Sequence, residues 1–333
     1  MPSTPVLVTL EDVRAARKRI FGMVVATPMF ESAGLSELLG YPIWVKAENL
    51  QITGSFKVRG AFNAMRQLAE SGQRATGYAT FSAGNHAAAV AYAAQRLGQS
   101  AVVCMPPGAV AEKVEAVQRY GGEVVFTATL VDTCHQIADE RGLHIVQPFD
   151  DPAVIAGQGT VGLELLDSLP ESATDDLTVL VPVGGGGLVS GVAVAVKALL
   201  PSAKVIGFEP ATANAVALSL RAGKPVSLPS PAKTLADGLA APFAGAIPYD
   251  HIVSLVDDVI VVEEDAIADA VWPTLSKLKL LIEPAAMVPI AGILSGAYTP
   301  HPGSTVVLIA SGGNVSRNVI VPPAHHDAKA IDR

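Results

Sequence analysis

The chain alternates short apolar runs with alanine-rich segments of helical length. The runs that predict strands are nearly continuously apolar and lie at residues 43–45, 77–79, 101–104, 123–126, 178–181, 205–208 and 305–309. The segments that predict helices lie at residues 58–70, 85–97, 110–120, 131–141, 188–200 and 265–281. Strands without a polar face are typical of parallel sheets that helices cover on both sides. The alternation therefore predicts an α/β fold with doubly wound parallel sheets.

Length and charge limit what such a fold can bind. The chain has 333 residues, of which 50% are hydrophobic, and this is enough for about two domains. Lys and Arg number 23 against 31 Asp and Glu, which gives a net charge of −8 and leaves no long basic run. We therefore expect no nucleic-acid partner. Cys104 and Cys134 show neither a zinc-site spacing nor a disulfide framework, which fits a reducing compartment.

Three segments bear on localisation and on the ends of the chain. The first 19 residues lack a signal-peptide pattern, and Thr9 followed by Asp12 predicts a capped helix instead, so we expect a cytoplasmic protein. Residues 177–196 are uncharged, but Pro182 and the glycines after it would break a membrane-spanning helix. We expect no membrane partner, and a frayed tail over residues 322–333.

A predicted strand runs into four glycines and then into a predicted helix that begins at Leu188. The glycines are Gly184, Gly185, Gly186 and Gly187. Consecutive glycines let backbone N–H groups turn toward one anion, and the helix N-terminus adds positive partial charge, so the pattern predicts a phosphate site. A tight turn or a close helix–sheet contact is the alternative. Val192 stands where a nucleotide-binding P-loop would need lysine.

A second glycine pattern, at residues 157–162, fits the dinucleotide fingerprint GxGxxG, with Asp175 and Asp176 at about the right distance for a ribose contact. The segment before it is too short for a leading strand. Asp151 and Pro152 instead predict a helix start. We therefore interpret the pattern as a decoy, and a nicotinamide oxidoreductase stays a remote alternative.

Lys57 follows a glycine-centred loop at a predicted helix start, between Phe56 and Val58. Cations are disfavoured at helix N-termini, and partial burial lowers the pKa of an amine and frees it as a nucleophile. A solvated surface lysine is the ordinary alternative for a lone lysine.

Residues 82–86 follow a predicted strand and open an alanine-rich helix. Backbone N–H groups at such a helix start suit a carboxylate ligand. An ordinary N-cap by Ser82 or Asn85 is the alternative. A histidine in the first turn is more often structural, so we assign no catalytic role to His86.

Together, these motifs resemble the fold-type II pyridoxal-phosphate (PLP) enzymes, and most of all the threonine and serine dehydratases and serine racemases. The motifs that carry the resemblance are residues 53–60, 82–86, 152–160, 184–187 and 311–314. The resemblance runs from about Thr27 to Asn314 and implies the tryptophan-synthase-β-like fold and a homodimer. We expect a large PLP-binding domain from residues 1–67 and 151–333 and a small substrate-gripping domain from residues 68–150.

The resemblance also implies roles for single residues. Lys57 would form the internal aldimine with PLP and later move the α-proton of the substrate. Phe56 would pack beside the ring, Asn85 would bond the phenolic oxygen, and Ser311 would meet the pyridine nitrogen. The residues that would hold the phosphate are Gly184, Gly185, Gly186, Gly187 and Leu188. The residues that would grip the substrate carboxylate are Ser82, Ala83, Gly84, Asn85 and His86.

The implied reaction is the dehydration and deamination of a small β-hydroxy amino acid, such as L-threonine or L-serine, to a 2-oxo acid and ammonia. The neutral hydroxyl of Ser311 suits elimination over transamination. The alternatives are a serine racemase and a dehydratase of a bulkier or acidic 3-hydroxy amino acid. Related racemases carry serine at the position of Ala83, which favours the dehydratase. A non-catalytic PLP-binding or amino-acid-binding protein is remote, because Lys57 and Ser311 are retained.

Glu209 stands where a divalent-cation site begins in this family. The racemase-type site also uses an acidic side chain six positions further on, and here Ala215 occupies that position. The departure argues against a divalent site. The sequence leaves open whether a monovalent or a divalent cation binds.

Overall fold

The computed structural model describes residues 7–73, 75–316 and 319. The helices are α1 (Leu10–Arg19), α2 (Ala33–Leu39), α3 (Lys57–Glu70), α4 (Asn85–Arg96), α5 (Ala111–Arg119), α6 (Leu130–Arg141), α7 (Pro152–Ser168), α8 (Gly187–Leu199), α9 (Ala215–Ala222), α10 (Ala246–Leu255), α11 (Glu264–Leu278) and α12 (Pro284–Leu294). The strands are β1 (Met29–Glu31), β2 (Ile43–Lys46), β3 (Tyr78–Phe81), β4 (Ala101–Met105), β5 (Glu123–Phe126), β6 (His144–Ile145), β7 (Leu177–Pro182), β8 (Lys204–Pro210), β9 (Asp258–Val262) and β10 (Thr305–Ile309). The tail expected to fray, residues 322–333, lies outside the described residues.

The larger sheet has the strand order β1-β2-β10-β7-β8-β9. Only β1 pairs antiparallel with its neighbour among these strands, and the other pairs are parallel. One face packs against α2, α11 and α12, and the other against α7 and α8. Because both faces are covered, every residue of β7 is buried. This confirms the predicted doubly wound parallel sheet.

The smaller sheet has the order β5-β4-β3-β6, and its described pairs are parallel. Apolar residues of α3 and α4 cover one face, and residues of α6 cover the other. Cys104 of β4 and Cys134 of α6 lie buried in that second layer as free thiols. The chain thus forms two parallel-sheet lobes, as the fold class predicts.

The predicted strands and helices all form, within a few residues at each end. Three strands were not predicted: β1 and β6 are only three and two residues long, and β9 is an edge strand. Among the helices, α2, α9, α10 and α12 were not predicted. Helix α12 contains Pro284 and Pro289, which interrupt the sequence pattern of a helix.

The decoy glycines at residues 157–162 lie inside α7, which starts where Asp151 and Pro152 predicted. The Asp151 side chain accepts hydrogen bonds from the backbone N–H groups of the first turn. A Cβ at Gly157 would come within 2.7 Å of the Arg59 carbonyl oxygen, so this glycine serves the close packing of α7 on α3. The pattern therefore lacks the strand-to-helix turn of the dinucleotide fingerprint. In the described ranges, no helix has the length and apolar character to cross a membrane.

Candidate active site

The carboxyl ends of β3, β7 and β10 lead into the three loops that the sequence analysis singled out. These loops and the start of α3 surround one cavity of about 430 Å³, a size typical of small-ligand sites. The predicted cofactor and substrate contacts that line it are Phe56, Lys57, Ser82, Ala83, Gly84, Asn85, His86, Gly184, Gly185, Gly186, Gly187, Leu188 and Ser311. Glu209 is not among the lining residues.

The glycine loop joins β7 to α8 and leaves no room for side chains. A Cβ at Gly185 would come within 2.4 Å of the Phe149 ring, and one at Gly186 within 2.8 Å of Pro248. Gly186 also has a φ of +95° and caps α8 without a side-chain hydrogen bond. The loop backbone is therefore free to approach an anion at the start of α8.

Lys57 is the first residue of α3, as predicted, and its side chain is partly buried against the cavity. Its Nζ donates a hydrogen bond of 2.8 Å to the carbonyl oxygen of Pro148 and lies 5.2 Å from the centre of the Phe56 ring. Burial lowers the pKa of Lys57 to about 8, while the carboxylate of Glu283 acts in the opposite direction. A substantial share of the amine is therefore neutral near pH 8.

A buried ionic cluster holds the first turn of α3 from behind. The Arg59 guanidinium donates to Glu48, at 2.8 Å from each of two nitrogens, and to Glu164, at 2.6 and 2.8 Å. Lys46 lies 2.6 Å from Glu164 in the same cluster. Since Arg59 is two residues beyond Lys57, the cluster restrains the segment that presents the Lys57 amine to the cavity.

The loop before α4 presents the start of a helix to the cavity. Gly84 occupies the N-cap position, and no side chain caps α4 in the described part of the chain. The Ser82 hydroxyl accepts a hydrogen bond of 3.2 Å from the Gly84 N–H. The capping by Ser82 or Asn85 that the sequence left open is therefore absent here. The first N–H groups of α4 suit a carboxylate.

His86 is buried at the wall of the cavity. Its Nε2 lies 3.0 Å from the carbonyl oxygen of Val146. Burial lowers the pKa of His86 to about 3, and the nearby Lys57 charge adds to this lowering. A neutral imidazole that donates from Nε2 explains the contact, in keeping with the structural reading of this residue.

Asn85, the first residue of α4, has its amide held on both sides. Its Nδ2 lies 2.9 and 3.1 Å from the two carboxylate oxygens of Glu283. Its Oδ1 accepts a hydrogen bond of 2.8 Å from Nδ2 of Asn314. The orientation of the Asn85 amide in the cavity is thus set by two neighbours.

The sequence analysis did not identify four residues that line the cavity: Glu283, Lys113, Asp237 and Phe149. Lys113 of α5 donates to the carboxylate of Asp237, and this ion pair links the small lobe to the large one at the cavity. For Glu283 the sequence does contain a feature that could have identified it. It is a lone acid within the apolar run 280–288, directly before Pro284, and an unpaired acid in such a run calls for a buried partner.

Glu209, the expected starting point of a cation site, lies buried at the N-terminal end of α9. Its two carboxylate oxygens accept hydrogen bonds from the backbone N–H groups of Val216 and Ala217, at 3.0 and 2.8 Å. Burial raises the pKa of Glu209 to about 8, although these two hydrogen bonds act to lower it. No group of three or more His, Cys, Asp or Glu with metal-binding geometry occurs within the described residues. Whether a cation binds here stays a prediction.

Comparison with known proteins places this geometry in context. The chain is 43% identical over 312 residues to an L-threonine ammonia-lyase of Geobacter sulfurreducens. This alignment covers 92% of this chain and 76% of that relative. It is 39% identical over 319 residues to a serine racemase of Oryza sativa subsp. indica, covering 93% and 92% of the two chains. The solved structure of maize serine racemase superposes with a TM-score of 0.87 at 38% identity, over 95% of this chain and 96% of that one.

The match to a protein family covers most of the chain. Residues 20–312, which include the lysine at the start of α3, the glycine loop and the loop before α4, match the family described as pyridoxal-phosphate dependent enzyme. The fold, the converging loops and this match agree, and the chain belongs to the family of pyridoxal-phosphate dependent enzymes.

Proposed function

We propose that the chain dehydrates a small, uncharged β-hydroxy amino acid, such as L-threonine or L-serine, and releases the 2-oxo acid and ammonia. The observation that carries the proposal is the convergence of three features in one cavity: the Lys57 amine, the glycine loop and the uncapped start of α4. The relatives named L-threonine ammonia-lyase support it from the sequence side.

The described residues fit PLP. A Cβ on these glycines would collide with Leu239, Phe149 or Pro248, so only glycines let this loop line the cavity with its backbone, which suits the close approach of a phosphate. We propose that Gly184 to Leu188 hold the phosphate, that Phe56 packs beside the ring, that Asn85 donates to the phenolic oxygen, and that Ser311 meets the pyridine nitrogen. Lys57 would hold the cofactor through its amine. When bound, PLP supplies an electron sink for the α-carbon of the substrate.

The substrate is positioned by the loop before α4. We propose that the N–H groups at residues 82–86 bind the substrate carboxylate, which places the α-hydrogen toward Lys57. Lys57 then takes that proton at Nζ, and its lowered pKa favours a neutral amine that can do so. The β-hydroxyl takes up one proton and leaves as water, which balances the proton that Lys57 has taken from the α-carbon. A second water then adds to the C=N carbon of the free imine that remains, which gives the 2-oxo acid and releases the nitrogen as ammonia. The net reaction requires no oxidant or reductant.

The charges that line the cavity favour an uncharged substrate side chain. The charged lining residues that the structure describes are Lys57, Lys113, Asp237 and Glu283. Lys113 already pairs with Asp237, and Lys57 is needed for the α-proton. A substrate with a second carboxylate therefore finds no spare cation among these residues, which argues against an acidic 3-hydroxy amino acid.

A serine racemase is the second candidate, since relatives of that name match most of the chain. Racemisation needs a proton donor or acceptor on each face of the planar α-carbon. Ala83 lies in the substrate loop and carries a methyl group, which cannot exchange a proton. This is the observation that favours the dehydratase over the racemase.

We also propose the domain division given above, with residues 68–150 as the small substrate-gripping domain, and a homodimer in the cytoplasm. The small sheet lies wholly within residues 78–145, which supports the division.

The free, buried thiols of Cys104 and Cys134 are compatible with a reducing compartment. The large apolar side chains of Phe21 and Trp272 are exposed and are available for contact with a second copy of the chain. Light scattering of the purified protein gives its mass in solution.

A substrate panel tests the proposed function. The PLP-loaded enzyme is incubated with L-threonine, L-serine, 3-phenylserine and 3-hydroxyaspartate, and 2-oxo acid and ammonia are both measured. The proposal expects equal amounts of the two products from L-threonine or L-serine and far less from the other two. Preference for 3-hydroxyaspartate would overturn the argument from cavity charges. No 2-oxo acid from any of the four would overturn the dehydratase itself.

A further inference from the structure

Glu283 is a buried carboxylate at the cavity that the proposed reaction does not yet use. It precedes Pro284, the first residue of α12, and is only 5% exposed. Glu283 occupies the N-cap position of α12, but its side chain makes no capping hydrogen bond to that helix. Its backbone N–H donates to the Gly312 carbonyl oxygen at 2.9 Å, next to Ser311. The side chain is therefore held at the cavity wall.

The Glu283 carboxylate determines which way the Asn85 amide points. An ionised carboxylate only accepts hydrogen bonds, so it selects the NH2 group of Asn85. On the other side, Nδ2 of Asn314 donates to Asn85 Oδ1 and also to the Thr53 carbonyl oxygen, at 2.8 and 2.9 Å. A flipped Asn85 would set its oxygen against the carboxylate and its NH2 group against that of Asn314. Only one orientation satisfies both neighbours.

This orientation leaves one N–H of Asn85 for a ligand. The two carboxylate oxygens of Glu283 subtend a narrow angle at Asn85 Nδ2, so one shared N–H accounts for both contacts. The second N–H of that NH2 group points elsewhere and can meet an acceptor in the cavity. The phenolic oxygen proposed as the partner of Asn85 is such an acceptor.

The charge of Glu283 also acts on the amine at the start of α3. The charged groups around Glu283 are Lys57 from α3, Lys113 from α5 and Asp237 from the short 3-10 turn Asp237–Leu239. Lys57 and Lys113 favour the ionised carboxylate, and Asp237 opposes it. Burial raises the pKa of Glu283 to about 7, and Glu283 in turn favours the charged form of Lys57. Each of the two groups therefore helps the other to stay charged.

We propose that Glu283 is a positioning residue of the reaction: it fixes the Asn85 amide with a free N–H toward the cofactor, and its charge stabilises the ammonium form that Lys57 reaches once it has taken the α-proton. The proposal rests on the proposed function, because it assigns Asn85 to PLP. Glu283 itself touches Asn85 and is not placed against the reacting atoms.

The first test removes the charge and keeps the shape. In Glu283→Gln the side-chain oxygen still accepts from Asn85, but the negative charge is gone. The matched control is Glu263→Gln, which changes an exposed glutamate before α11. In the cofactor-free protein, the pH dependence of Lys57 acylation, followed by mass spectrometry of the peptide, gives the pKa of the amine. We expect Glu283→Gln to lower this pKa by on the order of one unit and the control to leave it unchanged.

The second test removes the acceptor as well. In Glu283→Leu only Asn314 still selects the orientation of the Asn85 amide, so the amide turns more readily. We expect PLP to bind about tenfold more weakly to Glu283→Leu than to Glu283→Gln, with a shifted visible absorbance maximum. If Glu283→Leu does not fold, the acylation result for Glu283→Gln decides the proposal.

The outcomes separate this proposal from the proposed function. An unchanged Lys57 pKa in Glu283→Gln, together with a normal visible spectrum in the wild type, overturns the role of Glu283 and leaves the dehydratase standing. Equal PLP affinity in the Gln and Leu variants overturns the role in orienting Asn85. A wild type that binds no PLP through Lys57 overturns the proposed function, whatever the pKa of the amine.

Discussion

The Nζ of Lys57 donates a hydrogen bond of 2.8 Å to the carbonyl oxygen of Pro148. Pro148 lies in the segment between β6 of the small lobe and α7 of the large one. The amine that we propose as the proton carrier is thus bound to the connection between the two lobes. This places the proposed chemistry at the junction between the two lobes.

The lowered pKa of Lys57 predicts how PLP capture depends on pH. Only a neutral amine attacks a carbonyl carbon, and burial lowers the pKa of this amine to about 8. The rate of PLP capture by the cofactor-free protein should therefore rise with pH and level off above about 8. Free Nα-acetyl-lysine is the reference amine, since its pKa is about 10.4. A rate that keeps rising to the same high pH as the reference would contradict the desolvated amine.

Gly186→Ala tests the phosphate cradle. The new methyl group would press on Pro248 and force an alanine into a φ of +95°. Gly98→Ala is the control, because Gly98 has a φ of +69° and open space around it. Both variants should lose about 1 kcal/mol of stability from backbone strain, and Gly186→Ala should lose more because of the contact with Pro248. Only Gly186→Ala should weaken PLP binding. Equal PLP affinity in the two variants would place the phosphate elsewhere.

Ala83→Ser tests the choice between elimination and racemisation. A hydroxyl on the substrate loop supplies the second acid or base that the methyl group of Ala83 cannot. With L-serine, the unmodified enzyme should form far more 2-oxo acid than D-serine, and the variant should raise the D-serine share. Chiral chromatography measures both products. D-serine as the main product of the unmodified enzyme would show that Ala83 does not decide the outcome.

Glu209→Gln tests the buried carboxylate under α9. A carboxyl whose pKa is raised by folding favours the folded state below its unfolded pKa, and this contribution is lost as pH rises through about 8. Glutamine keeps an oxygen for one N–H of α9 and never ionises. The melting temperature of Glu209→Gln relative to wild type should therefore increase between pH 5 and pH 9. A difference that does not change with pH would contradict the raised pKa.

The sequence predicted the parts of the site that local rules govern. A strand, four glycines and a helix start form one sequence pattern, so the glycine loop at Gly184 to Gly187 and the helix after it could be predicted from that pattern alone. The start of α3 at Lys57 and of α7 after Asp151 followed from turn and capping residues.

The missed parts depend on contacts between segments that are far apart in sequence. Glu283 meets Asn85 across 198 positions, and Lys113 meets Asp237 across 124. No local pattern encodes such pairs, because the fold alone brings them together. For the same reason Glu209 could be aligned with a cation site, while its hydrogen bonds to the start of α9 became visible only in the structure.

The measurement that tests the central claim most directly is the turnover of Lys57→Ala beside the unmodified enzyme, both incubated with PLP and L-threonine or L-serine. The account predicts equal yields of 2-oxo acid and ammonia from the unmodified enzyme. It predicts the loss of the visible cofactor absorbance in Lys57→Ala, with a fall in turnover of about 10³-fold or more, because one side chain both holds the cofactor and moves the α-proton. Normal turnover by Lys57→Ala would contradict the account.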